Sequence, residues 1–121
     1  MYAMKCLRPQ IRSDSVTFHT GAEDLVHETA ILANLNHPHI IKLQGRAAGS
    51  LVEAFQLNNS YFILLEKLTD TLHDRIDVWK QTQCLIQGPQ TNQLKVAHAI
   101  ADAMAYLHSK NIVFRDLKVC G

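Results

Sequence analysis

The sequence predicts an α+β fold with an antiparallel sheet first and helices after it. Three observations predict it. A short strand pattern opens the chain at "YAMKCL", residues 2 to 7, and the apolar block "YFILLE" follows at residues 61 to 66. A long stretch near the end, "QLKVAHAIADAMAYLHSKN", carries apolar residues at helical spacing. Strands before helices, without regular alternation, favour a sheet with helices segregated beside it.

In the first strand, alternation puts Ala3, Lys5 and Leu7 on one face and Tyr2, Met4 and Cys6 on the other. Pro9 limits it. The polar stretch "QIRSDSVTFHTG" reads as a connection. Thr20 and Glu23 have capping-box spacing, which predicts a helix starting at Thr20. Leu25, Leu32 and Leu35 fall on its apolar stripe, and Asn36 and Pro38 end it. "IIKLQG" reads as a second strand, "RAAGSLVEAFQLNNS" as a strand end and turn-rich loop, and "YFILLE" as a buried strand. "DTLHDRIDVWKQ" suits a short helix, and "QCLIQGPQTNQ" a linker broken by Gly88 and Pro89. In the last helix Leu94, Ala97, Ala101, Met104 and Leu107 make a core-facing stripe widened by Ile100. Thr91 is its expected N-cap, and Lys110 and Asn111 suit its end. "IVF" then begins an extended segment that delivers Arg115 and Asp116.

Composition narrows the class. The chain has 121 residues, 47% hydrophobic and 19% charged, which is ordinary for a globular protein. A net charge of +1 gives no basic field to draw nucleic acid or anionic membrane. Cys6, Cys84 and Cys120 are odd in number and form no zinc pattern, so they read as free thiols of a reducing compartment. No apolar run is long enough to span a bilayer, and the N-terminus lacks a secretory h-region. These features point to a soluble intracellular protein, cytoplasmic or nuclear. His37 and His39 flank Pro38, but further ligands at metal-site spacing are not found; the pair reads as a turn and strand entry. Trp79 reads as packing for the short helix.

Two residues stand out against this background. Glu28 lies three residues after Leu25 and four before Leu32, on the apolar stripe. Lys5 occupies the middle of an otherwise apolar strand. An acid at such a position either finds a cation or reaches water from the edge of the stripe. Lys5 is a candidate for that cation, since each position would explain the other; the plainer reading of the pattern is that Glu28 lies at the edge of the stripe and snorkels to water.

Together these blocks resemble a eukaryotic-type protein kinase domain of the serine/threonine type, in the same order and over nearly the whole chain. "YAMK" is similar to the kinase V-A-I-K strand and "VHETAILANLNHPHIIKL" to the αC helix with the turn and strand after it. "YFILLEKL" resembles the strand entering the hinge, and "AHAIADAMAYLHSKNIVFRDLK" the αE helix and the start of the catalytic loop. The resemblance implies a partial kinase fold: a three-stranded antiparallel sheet with an αC-like helix, followed by the first helices of the large lobe. The small-lobe part and hinge would cover residues 1–68, and the start of the large lobe 69–121.

The resemblance also implies roles. Lys5 would hold the ATP α- and β-phosphates, with Glu28 as its partner and Ala3 beside the nucleotide. Leu65 would be the gatekeeper, and Glu66 to Leu68 would offer backbone groups to adenine. Asp116 would accept or orient the substrate hydroxyl, Arg115 would help hold the loop, and Lys118 would contact the transferred phosphate. ATP and Mg2+ are the implied cofactors, and a protein Ser or Thr hydroxyl the implied acceptor.

The sequence departs from the family pattern in places. Phe114 stands where histidine is usual, and Val119 replaces the usual proline. Gly121 falls where the metal-binding asparagine should be. No G-x-G-x-x-G precedes Lys5, and no D-F-G or A-P-E is found. No metal-ligating residue is therefore assigned. The expectation is a truncated or mis-spliced fragment of a serine/threonine kinase, inactive by itself. The alternative is a non-catalytic kinase-like module kept for binding a partner.

Overall fold

The computed structural model describes residues 1–48, 61–83 and 91–119. Its elements run in the order β1 (Tyr2–Cys6), a 3-10 turn (Pro9–Ser13), α1 (Ser15–Ala33), β2 (Leu43–Arg46), β3 (Phe62–Glu66), α2 (Leu72–Gln83) and α3 (Thr91–Ser109). The fold is α+β, with one three-stranded sheet of order β1-β3-β2. The chain divides into two compact units. One holds Met1–Asn36 and Ile41–Lys67, the other His37–Ile40 and Leu68–Gly121.

The first unit is built on β3. Both neighbours pair with it antiparallel, Lys5 opposite Ile63 and Ala3 opposite Leu65 on one side, Leu43 opposite Leu65 and Arg46 opposite Ile63 on the other. Between Leu43 and Gly45 the register shifts, leaving Gln44 as the extra residue of a bulge. Alternation buries Ile63 and Leu65, which with Tyr61 and Leu25 of α1 form the core. Leu7, Val26, Leu32, Ile41, Leu43 and Ala47 pack around it. Cross-strand partners share a face, so Ala3 and Lys5 lie on the core side of β1. Tyr2 and Met4, on the other side, are exposed.

α1 corrects the expected boundaries. It begins at Ser15, five residues before Thr20, so "QIRSDSVTFHTG" is not a connection but a 3-10 turn and the first helical turns. Asp14 is the N-cap: its carboxylate accepts from the Val16 N–H and the Thr17 hydroxyl. Those bonds, the Thr17 one foremost, hold the Asp14 carboxyl below its ordinary value. Thr20 is interior and donates its hydroxyl to the Val16 carbonyl instead. The helix also stops early. Asn34 caps it, its N–H on Ile31 O and its side-chain amide on Ala30 O, so Leu35 and Asn36 lie beyond it. The buried stripe is Ala22, Leu25 and Thr29, and Thr29 satisfies its hydroxyl on Leu25 O at 2.6 Å.

The second unit is held largely by local devices. α2 opens with a capping box: the Asp74 carboxylate accepts from the Thr71 N–H and hydroxyl, and the Asp74 N–H donates to Thr71 Oγ1. α3 ends in a Schellman motif, with Ile112 N–H on Leu107 O and Asn111 N–H on His108 O, both at 2.9 Å. Asn111 takes the left-handed conformation this requires, at φ 59°. The helix face expected to be core is mostly uncovered among the described residues. Leu107 is buried, Met104 and Ile100 are half-buried, and Leu94, Ala97 and Ala101 are exposed. Thr91 lies within α3; Cys84, Gly88 and Pro89 of the expected linker fall outside the described residues, as do residues 49–60 of the expected loop. Trp79 is half-buried and shares a shallow groove with Asp70, Asp74, Arg75 and Val78. No helix among the described residues is long and apolar enough to cross a membrane.

Candidate functional site

The helical phase that buries Leu25 and Thr29 leaves Glu28 at the margin of the same face, half-buried. Lys5 rises from the core side of β1, opposite Ile63. The two meet. Lys5 Nζ lies 2.5 Å from Glu28 Oε2 and 2.7 Å from Oε1, with side chains 50% and 38% exposed. The two readings of Glu28 therefore merge, since it pairs with a cation and still reaches water. A carboxylate held on one side of an ammonium leaves the other N–H donors free for an anion. Ala3 sits two residues away on the same face of β1, and Leu65 opposite it, buried.

Glu66 closes β3. Its N–H donates to Lys42 O at 3.2 Å, and its side-chain Oε1 accepts from Lys42 N–H at 3.1 Å. The family resemblance implies a role for the backbone groups of Glu66 only. The side-chain bond follows from the register of β2 on β3, which no local pattern encodes.

The second unit holds the rest. Leu68 is exposed. The Schellman turn redirects the chain at Asn111, and residues 112–118 run without regular structure. Within them Lys118 Nζ lies 2.9 Å from Asp116 Oδ2, both side chains well exposed. A carboxylate there can accept a hydroxyl proton, and its neighbour can face an anionic oxygen. Thus Lys5 and Glu28 come together in one unit, and Asp116 and Lys118 in the other.

Also in the second unit, the turn His37–Ile40 meets α3. His37 Nε2 is 3.3 Å and His39 Nε2 3.9 Å from Asp102 Oδ2, and the His37 ring stacks tilted on Tyr106 at 4.8 Å. The turn is legible in the His37-Pro38-His39 sequence, but the carboxylate it rests on is not. Among the described residues no group of three His, Cys, Asp or Glu side chains is arranged to hold a metal ion. Gly121 supplies no side-chain oxygen. The side chains of the described residues do not fit a magnesium site.

The family model for the protein kinase domain matches residues 1–120, and the chain belongs to that family. It is 38% identical over 100 residues to a probable serine/threonine-protein kinase, kinY, of Dictyostelium discoideum, covering 78% of this chain and 16% of that protein. It is 33% identical over 97 residues to calcium-dependent protein kinase 5 of Plasmodium berghei, covering 79% of this chain and 15% of that one. A cAMP-dependent protein kinase catalytic subunit of Dictyostelium discoideum is 29% identical over 117 residues, covering 97% of this chain and 15% of the relative. The chain thus spans about a sixth of the length of these relatives. No solved structure matches.

Proposed function

We infer that the chain carries the nucleotide-holding and hydroxyl-orienting residues of a serine/threonine protein kinase. The observation that carries this reading is the Lys5–Glu28 pair, formed at the half-exposed edge of the core where an anion has access. Lys5 holds the α- and β-phosphates of ATP, and Glu28 keeps its ammonium in place. Ala3 and Leu65 face the nucleotide, and the backbone from Glu66 to Leu68 receives the adenine. In the complete protein the Ser or Thr oxygen of a protein substrate bonds to the γ-phosphorus, the bond to the β-phosphate oxygen breaks, and Asp116 takes the hydroxyl proton. Lys118 faces the transferred phosphoryl oxygens. These 121 residues alone bind nucleotide without measurable transfer, because Gly121 leaves a metal position without its oxygen.

An acyl phosphate of ATP tests this directly. An amine beside the phosphates attacks the acyl carbon, forms an amide and releases ATP. Lys5 is expected to be acylated ahead of the other lysines, and excess ATP to suppress the mark. Labelling of Lys5 that ATP does not reduce sinks the reading. A chain that binds ATP but, in its full-length form, never transfers phosphate supports a non-catalytic kinase-like module instead.

A further inference from the structure

We propose that the Glu66 side chain is a positioning residue that sets the base selectivity of the nucleotide site. This inference rests on the reading just given. Lys42, immediately before β2, has both its backbone groups taken by Glu66. Its carbonyl accepts from the Glu66 N–H at 3.2 Å, and its N–H donates to Glu66 Oε1 at 3.1 Å. The carboxylate stands in for one more rung of the ladder. As an ionised acceptor it makes a stronger bond than a neutral carbonyl does.

The place of this clamp gives it consequence. Leu65 is anchored on both sides, paired with Ala3 and with Leu43, and its side chain is buried. Glu66 is the last residue of β3, and the exposed Lys67 follows it. β2 reaches this point through the bulge at Gln44, where a shifted register weakens the ladder's hold. On its β1 side Glu66 stands opposite Tyr2, and on its β2 side the carboxylate adds a second bond to Lys42 beside that of the Glu66 N–H. Backbone groups that recognise a base must hold their positions to within a hydrogen-bond length. Adenine offers a 6-amino donor where guanine has a 6-oxo acceptor, so a carbonyl held in place separates them and a fraying one does not. Glu66 thus acts through the backbone and never touches the base with its side chain.

The experiment compares acylation of Lys5 by the acyl phosphates of ATP and of GTP in the wild-type chain, Glu66→Ala and Glu66→Gln. Amide hydrogen exchange is read at Lys42 and Lys67 in all three. The wild type is expected to favour the adenine probe. Glu66→Ala is expected to lower the adenine-to-guanine ratio about fivefold, the equivalent of one lost hydrogen bond, and to speed exchange at both amides. Glu66→Gln keeps a side-chain carbonyl acceptor and is expected to recover most of the ratio and of the Lys42 protection. Equal loss of both probes in Glu66→Ala, with the ratio unchanged, marks a merely structural role and overturns the proposal. Unchanged exchange at Lys67 in Glu66→Ala overturns it too. A wild-type Lys5 that no nucleotide protects removes the underlying reading itself, and is told apart because no ratio then exists to change.

Discussion

The two units are stabilised by different physics. The first is knit by residues distant in sequence: Ile63 is fully buried, and Leu25, Tyr61 and Leu65 close around it from a helix and a strand some forty residues apart. In the second, Leu107 is the buried apolar residue among those described. Its order comes from nearest neighbours, the Thr71–Asp74 box, the Arg75–Asp70 ion pair at 2.8 Å and the Schellman turn at Asn111. Non-local burial makes a cooperative body, whereas local devices each hold one end of one helix. The Lys5–Glu28 pair stands on the first kind of support, and the Asp116–Lys118 pair on the second.

The largest expected effect is therefore in the first unit. Ile63→Ala removes the side chain at the centre of the core and is expected to cost about 2–5 kcal/mol. In hydrogen exchange, protection should fall across β1, β3 and α1 together, and survive in α3. Equal loss of protection in α3 would show that the units unfold as one, and break the comparison.

The same contrast decides what could be read in the sequence. β3 was legible because five apolar residues in a row at "YFILL" leave little choice but burial. Pattern marks Lys5 and Glu28 as oddly placed but equally allows Glu28 to reach water from the edge of the stripe; only the family resemblance joins them. The start of α1 was misread for a local reason. Thr20 and Glu23 have the spacing of a box, but Asp14 with Val16 and Thr17 makes a competing cap one turn and more upstream. Spacing cannot rank two caps, and the added residues, Ser15–His19, are exposed except for half-buried Phe18, so no burial pattern marks the earlier start. The Glu66 clamp and the meeting of His37 with Asp102 were illegible because they depend on register and docking. The apolar face of α3 was read correctly as a pattern, but not in its degree of burial.

A smaller effect is expected at Asp74, and it sharpens the comparison through pH. Hydrogen bonds from Thr71, its hydroxyl first and its N–H second, hold the Asp74 carboxyl below its ordinary value of 3.8. A group whose pKa is depressed by folding stabilises above its unfolded value and stops doing so as pH falls through the folded one. Acid titration followed by circular dichroism should thus show α2 loosening below pH 3.8, and Asp74→Asn should blunt that step. Exchange in the first unit should not respond to the substitution, because the box touches only α2. Loss of β-strand protection on replacing Asp74 would contradict the local character assigned to this unit.

The smallest expected effect on stability lies at the residues of greatest chemical interest. Glu28→Gln leaves an amide in place of a carboxylate beside Lys5, with the two side chains 38% and 50% exposed. Ion pairs with this much water around them contribute about 0–1 kcal/mol. Denaturant midpoints of Glu28→Gln and wild type should therefore nearly coincide, in sharp contrast to Ile63→Ala. Salt should erase what difference there is, as screening acts on exposed charges. A loss of several kcal/mol would mean that the pair is a structural element of the core like Leu25. A near-zero cost means that Lys5 and Glu28 occupy core-side positions without stabilising the core. The chain then carries a charged pair on its best-packed surface for a purpose other than folding, and an exposed, pre-positioned ammonium is suited to holding phosphate oxygens.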